Sequence, residues 1–314
     1  MHSTVANTAR WKTLVAFAII YFVWGSTFLA IRIGVEEVPP FLLASMRFVA
    51  AGLVLYLWML LKGERNPTAK EWGSVTLVAA LIFACAYGLV FWAEQRVPSG
   101  LTAVMQSTIP ALMALSEILI LRTQRLTVRL ALALAVGFCG VAVLMVRSLN
   151  LGGAPIDHAG AVALICAATC WSVASALSRK LPLPQVKTMS SGAQMLVGGV
   201  LLALVAAVRG EFAEFHPAAV SAKAWLSLLY LIVAGSIVAF TAYVWLLHHY
   251  SPTKVGTYAY VNPVVAVLLG YFAAGEPLGQ RTLIGSGCVL LSVVMITTAG
   301  AKKQVEAKSG QLVK

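Results

Sequence analysis

Ten stretches of this chain stay apolar for about 20 residues each, the length that carries a helix across the hydrocarbon core of a bilayer. Their approximate limits are 13–33, 41–61, 71–93, 99–121, 128–147, 159–178, 188–208, 224–247, 254–274 and 282–299. In hydrocarbon every backbone donor and acceptor must be satisfied inside the segment, so such runs predict helices and not irregular chain. Composition agrees. The 314 residues are 60% hydrophobic and only 11% charged, against about 45–50% and about 25% in soluble domains. Turn-forming breaks separate the runs, including Pro39-Pro40, Asn66-Pro67 and the stretch Pro182 to Pro184. Arg10 and Lys12 precede the first run, as they would in a signal peptide. The run is too long for a signal core, however, and no Ala-x-Ala site follows, so it reads as a span.

The net charge of +12 would suit a nucleic-acid partner, but its distribution points elsewhere. With the N-terminus inside and ten alternating spans, sixteen of the 23 Lys and Arg fall on the inner side and six on the outer. Arg47 remains, within the second span. Such a bias orients membrane proteins. The expected partners are therefore the lipid bilayer and a small-molecule substrate, not nucleic acid. Both termini are expected in the cytoplasm, and 301–314 forms a cytoplasmic tail. Monomer and homodimer both remain open. Cys85, Cys139, Cys166, Cys170 and Cys288 all lie in predicted spans. They read as small buried residues, and neither a metal nor a cofactor is expected.

The chain also repeats itself. "KEWGSVTLVAALIFACAYGLVFW" (70–92) and "KAWLSLLYLIVAGSIVAFTAYVW" (223–245) match Lys70 with Lys223, Trp72 with Trp225 and Trp92 with Trp245, at an offset of 153. The same offset places Pro110 on Pro263. Upstream, an offset of 147 places Trp24 on Trp171 and Gly52 on Gly199. The expected units are 1–150 and 151–300, each of five spans. Five is odd, so the second unit enters the membrane from the opposite side. Inverted-topology repeats of this kind are a transporter signature, with the site near the midplane between the repeats.

Pro110 and Asn262-Pro263 fall near the centres of the fourth and ninth spans. Each proline frees the carbonyl four residues back, that of Gln106 or Ala259, and so interrupts its helix. Paired interruptions in corresponding spans point to a binding site. Trp24, Gln106, Trp171 and Tyr260 reach similar depth. Together with Tyr87, Pro110, Asn262 and Pro263 they form the expected lining of an aromatic, weakly polar substrate cavity. Proline kinks packed by neighbouring helices are the other reading.

Five stretches carry a resemblance: "WGSTFLAIRIG" (24–34), "MRFVAAG" (46–52), "VPSGLTAV" (97–104), "YAYVNPVVAVLLG" (258–270) and "GEPL" (275–278). They resemble the EamA family of the drug/metabolite transporter superfamily, most nearly its YedA-like exporter branch. The resemblance implies an all-α membrane protein of ten transmembrane helices, built as two five-helix inverted repeats. It also implies an exporter of amino acids, other metabolites or drugs in the cell membrane, here a bacterial inner membrane. In such proteins spans one to four and six to nine enclose the cavity, and spans five and ten pack at the side. Two departures stand out. Ala86-Tyr87 replaces the family's frequent Gly-Asn, and Thr123-Gln124 stands where the second half has its Gly-Glu.

Ionisable groups inside spans are functional candidates. Arg47 and Glu94 are placed to form an ion pair in the outer leaflet, or to act in transport. Glu117, near the inner end of the fourth span, can snorkel toward Arg122 or Arg125, or take part in proton coupling, as can Glu94 and His248. Trp92 and Trp245 fall at the membrane interfaces, where aromatic belts sit.

Two rival functions exist. A membrane-embedded enzyme would need a catalytic constellation, and no H-E-x-x-H, G-x-S-x-G or paired intramembrane aspartates occur. A sensor or assembly factor would usually carry a soluble domain, and the loops are short. No G-x-x-x-x-G-K-[ST] is present for ATP-driven transport. A secondary transporter working by alternating access is the expectation, and not an enzyme.

Overall fold

The computed structural model describes residues 10–97, 102, 105–149, 157–265 and 280–299, without the side chains of 144–149, 280–282, 297 and 299. Expectations for the tail 301–314, the Gly-Glu motif at 275–276 and the far end of the ninth run lie outside these residues.

Among the described residues the chain is helical and contains no strand. The long helices are α1 (Arg10–Val35), α2 (Pro40–Leu61), α3 (Ala69–Glu94), α6 (His158–Leu177), α7 (Lys187–Val208) and α8 (Ala222–His249). All six are long and apolar enough to cross a membrane. The other apolar helices are α4 (Ile109–Leu121), α5 (Val128–Leu149) and α10 (Gln280–Ala299). Their ends follow the predicted runs because local chemistry sets them. Thr68 and Glu71 form a capping box at the start of α3. Asp157 caps α6, and Ser221 caps α8. Pro40 opens α2 in the first turn, where no amide donor is needed.

The fourth and ninth runs depart from expectation in an instructive way. Both are interrupted, but not by their prolines. In the fourth, the break is a turn at Ser107 and Thr108. Pro110 then sits in the first turn of α4, so it opens a helix and breaks none. In the ninth, a single turn of helix, Pro252–Val255, is followed by a break at Gly256 and Thr257. Residues 258–265 then run helically through Asn262 and Pro263, and this stretch is α9. The expected interruption is real but lies six to seven residues earlier than the proline.

Further irregularities were invisible to hydropathy: α4 ends in a π-helical turn, Glu117–Leu121, and the two long π-segments lie elsewhere. α3 is π-helical over Ala80–Tyr87, and α8 over Leu231–Val238. They fall at nearly the same place in the two halves, and π-segments are frequent at functional sites.

Small residues let helices approach. α2 packs along α7. A Cβ on Gly52 would stand 2.4 Å from the Leu196 amide nitrogen, and one on Gly199 2.6 Å from that of Val49. The backbones are therefore in contact, as small residues permit between membrane helices. α5 and α10 pair separately at the side. There Ser292 donates to the Ala133 carbonyl at 2.6 Å.

Candidate functional site

The site is an aromatic cavity assembled by helices from both halves. α1 supplies Trp24, Thr27 and Phe28, and α3 supplies Tyr87 from the end of its π-segment. Gln106 and Ile109 come from either side of the break before α4. Across from them stand Trp171 of α6, and Tyr258 and Asn262 of α9. The volume open to water within it is about 60 Å³. That holds a few waters, but it is well below the ~150 Å³ of a cavity able to hold benzene. A solute of metabolite size therefore requires the wall to move.

Trp24 organises the wall. Its ring lies 5.5 Å from Trp171, 4.7 Å from Tyr258 and 5.1 Å from Tyr243, mostly edge-on or tilted. Such geometry is favoured by aromatic quadrupoles. Its indole N–H donates to the Gly235 carbonyl at 3.0 Å, so the π-segment of α8 fixes the ring. Tyr87 meets Trp171 edge-on at 5.3 Å. The Tyr243 hydroxyl in turn hydrogen-bonds Ser175 at 2.5 Å.

Asn262 is 3% exposed. With its amide oriented to satisfy both contacts, its nitrogen donates to the Tyr21 carbonyl at 3.2 Å and the Tyr258 carbonyl at 2.9 Å. It lines the cavity and also ties α9 to α1. Gln106 keeps a donor, Nε2, without an acceptor among the described residues, and the Trp171 indole N–H faces the Tyr243 hydroxyl.

Of the eight residues expected at the lining, Trp24, Tyr87, Gln106, Trp171 and Asn262 come together around this space. Three do not. Tyr260 points the other way, donating from its hydroxyl to the Leu134 carbonyl of α5 at 3.0 Å. Tyr258 lies about 200° around the helix from Tyr260, at 100° per residue, and faces the cavity instead. Pro110 is buried beside the wall residue Ile109. Pro263 is absent from the wall, which α9 reaches through its neighbour Asn262. Tyr258 was legible as an aromatic in the same stretch as Tyr260. Which of the two faces inward depends on the helix phase, and the break at Gly256 sets that phase.

The expected Arg47–Glu94 ion pair is not formed. Arg47 turns toward the π-segment of α8, where its Nε donates to Ser236 Oγ at 2.8 Å. Its guanidinium lies 4.8 Å from the Phe48 ring and 5.1 Å from that of Tyr87. Glu94 is buried at the far end of α3, and its backbone carbonyl accepts from Arg32. Nor does Glu117 snorkel to Arg122 or Arg125. Its carboxylate accepts from the Thr253 amide at 3.0 Å and from the Thr253 hydroxyl, pinning the short helix before the break. At the interfaces, Arg96 lies over the Trp92 ring at 4.3 Å, and Trp245 stacks on His249. Outside the spans, Glu37 accepts from both the amide and the hydroxyl of Ser221, and these bonds hold its carboxyl below the usual range.

The sequence pattern of the EamA-like transporter family matches residues 11–146 and again residues 158–298. The inner membrane transporter YedA of Escherichia coli K12 is 35% identical over 284 residues, covering 90% of this chain and 89% of its own. A transporter of Archaeoglobus fulgidus is 25% identical, covering 92% and 98% of the two chains. The transporter YoaV of Bacillus subtilis is 22% identical, covering 94% and 99%. A solved crystal structure 23% identical to this chain superposes with a TM-score of 0.73, covering 93% of this chain and 98% of that one, which shows a shared fold.

Proposed function

The chain belongs to the EamA-like transporter family and is a multi-pass membrane transporter of the drug/metabolite type, not an enzyme. From that premise we propose that it is a secondary exporter of small amphipathic metabolites, amino acids or drug-like compounds, working by alternating access. It is built from ten spans in two inverted five-helix repeats, 1–150 and 151–300, with both termini cytoplasmic.

One observation carries the reading. A single aromatic cavity draws its wall from α1, α3 and α4 of one half and from α6 and α9 of the other. A site between repeats is where such transporters hold their substrate. The inverted repeat is supported by the matched π-segments and by the family pattern occurring twice. The orientation is supported by the inner excess of Lys and Arg. Rocking of one half against the other would expose the cavity to each side in turn. Glu117 at Thr253 and Glu37 at Ser221 are contacts that such rocking would break on opposite sides.

Tracer flux in proteoliposomes tests this. A panel of labelled amino acids and amphipathic metabolites should yield at least one compound that crosses faster than in protein-free vesicles. Flux at the protein-free rate across the panel would contradict the reading.

A further inference from the structure

We propose that the cavity takes a solute with an aromatic body and a net negative charge, an aryl carboxylate, and that Arg47 is the residue that selects the charge. The proposal deepens the transporter reading and rests on it.

The argument begins with a cation that has no counter-charge. Arg47 is 1% exposed, and a guanidinium at this depth is costly to keep. Its Nε donates to Ser236, and the Tyr87 hydroxyl is the other hydrogen-bonding group beside the guanidinium, but among the described residues no carboxylate stands within ion-pair distance. The cation–π contacts with Phe48 and Tyr87 offset part of the cost but satisfy no donor.

The free end of the guanidinium adjoins the cavity wall. It packs against Tyr87. A Cβ on Gly235 would meet Nη2 at 2.9 Å and the Thr27 methyl at 3.1 Å, so the glycine leaves room for the guanidinium beside Thr27. Gly235 is also the residue whose carbonyl holds Trp24. Thus Tyr87 and Thr27 of the wall pack beside Arg47, Trp24 is held by the glycine next to it, and Arg47 itself stands just behind the wall.

The cavity itself shows the same polarity. Its polar atom without a hydrogen-bond partner among the described residues, Gln106 Nε2, is a donor. Among the described residues no Asp or Glu lines it. Glu94, the carboxylate on the same helix as Tyr87, lies about 10 Å farther along α3 at 1.5 Å per residue, outside the wall. A site that offers a donor beside a buried positive charge, with nothing acidic facing it among the described residues, is complementary to a carboxylate. A cation would meet repulsion in low dielectric, and the ammonium of a zwitterion would find no acidic partner among these residues. The rings of Trp24, Trp171 and Tyr258 supply the apolar surface for the body.

The test uses four probes sharing one ring: phenylacetate, phenylacetamide, phenethylamine and phenylalanine. Binding to the purified full chain is measured by calorimetry, and flux in proteoliposomes with the same labelled compounds. Phenylacetate should bind and cross best, with the amine weakest. Arg47→Gln should weaken phenylacetate by roughly 10-fold or more, the loss of a buried positive charge acting through the wall, and leave phenylacetamide unchanged. Arg47→Lys, which keeps the charge should Arg47→Gln not fold, should retain the preference for the anion over the amide. Flux of the amine or amide at or above that of phenylacetate overturns the anion assignment and leaves the transporter standing. So does an equal loss of phenylacetate and phenylacetamide in Arg47→Gln. Failure of all four to bind also overturns the assignment, while flux of any other metabolite in the broader panel would still support a transporter.

Discussion

Asn262 joins the cavity to the scaffold, and its substitution should show both roles at once. Its amide donates to two backbone carbonyls, one on α1 and one on its own helix. Asn262→Leu leaves the buried Tyr21 carbonyl without that donor, at a cost of about 1–3 kcal/mol. A fall in melting temperature and a loss of substrate affinity are therefore expected together, measured on one purified sample. An unchanged melting temperature would show that Asn262 does not tie α9 to α1. The sequence made this residue conspicuous, because a polar amide beside a proline in an apolar run demands partners. It also made Trp24 and Trp171 conspicuous, through their matched positions in the two halves. It could not separate Tyr258 from Tyr260, since a break upstream rotates the whole helix. It could not find the true neighbours of Arg47 either. Depth along a helix was readable from the chain, but the direction of a long side chain depends on what Ser236 and Tyr87 offer across the interface.

The helices themselves were mostly legible as elements, because capping residues and prolines end them where hydropathy falls. The start of α3 at the Thr68–Glu71 box is one such case. The π-segments of α3 and α8 were not legible. A one-residue change in hydrogen-bond register leaves no mark on an apolar sequence. Close packing of α2 on α7 was visible only as a matched pair of glycines, Gly52 and Gly199. The structure turns that match into a specific expectation. Gly52→Ala places a methyl 2.4 Å from the Leu196 backbone, so two helices must part. Overpacking of this kind costs about 1–3 kcal/mol. Gly73→Ala in α3 meets nothing within 4 Å and should be neutral or stabilise by up to about 1 kcal/mol, from helix propensity. Thermal melts of both variants check this. Equal melting temperatures would mean that α2 and α7 can separate without cost.

At the scale of the whole molecule, charge decides orientation and the two halves decide where the cavity lies. Arg125 is exposed in the loop between α4 and α5, and Glu214 is exposed between α7 and α8. In a cysteine-free background, Arg125→Cys should resist an impermeant maleimide in intact cells and Glu214→Cys should react. The opposite pattern would reverse the topology. The family, the helical fold and the paired halves could all be argued from sequence, because repeats and apolar runs are properties of the chain alone. The small volume of the cavity could not, since it depends on how five helices meet. That volume offers the most direct test of the central claim, that solute passes through this space. Ala167 of α6 is buried in its wall. Ala167→Leu fills the space with three added carbons, and its melting temperature reports any cost of overpacking. The decisive measurement is tracer flux of a transported solute by wild-type protein and by Ala167→Leu, reconstituted side by side. The account predicts flux lost in a variant that remains folded at the assay temperature. Wild-type flux through a folded Ala167→Leu protein would place the pathway elsewhere.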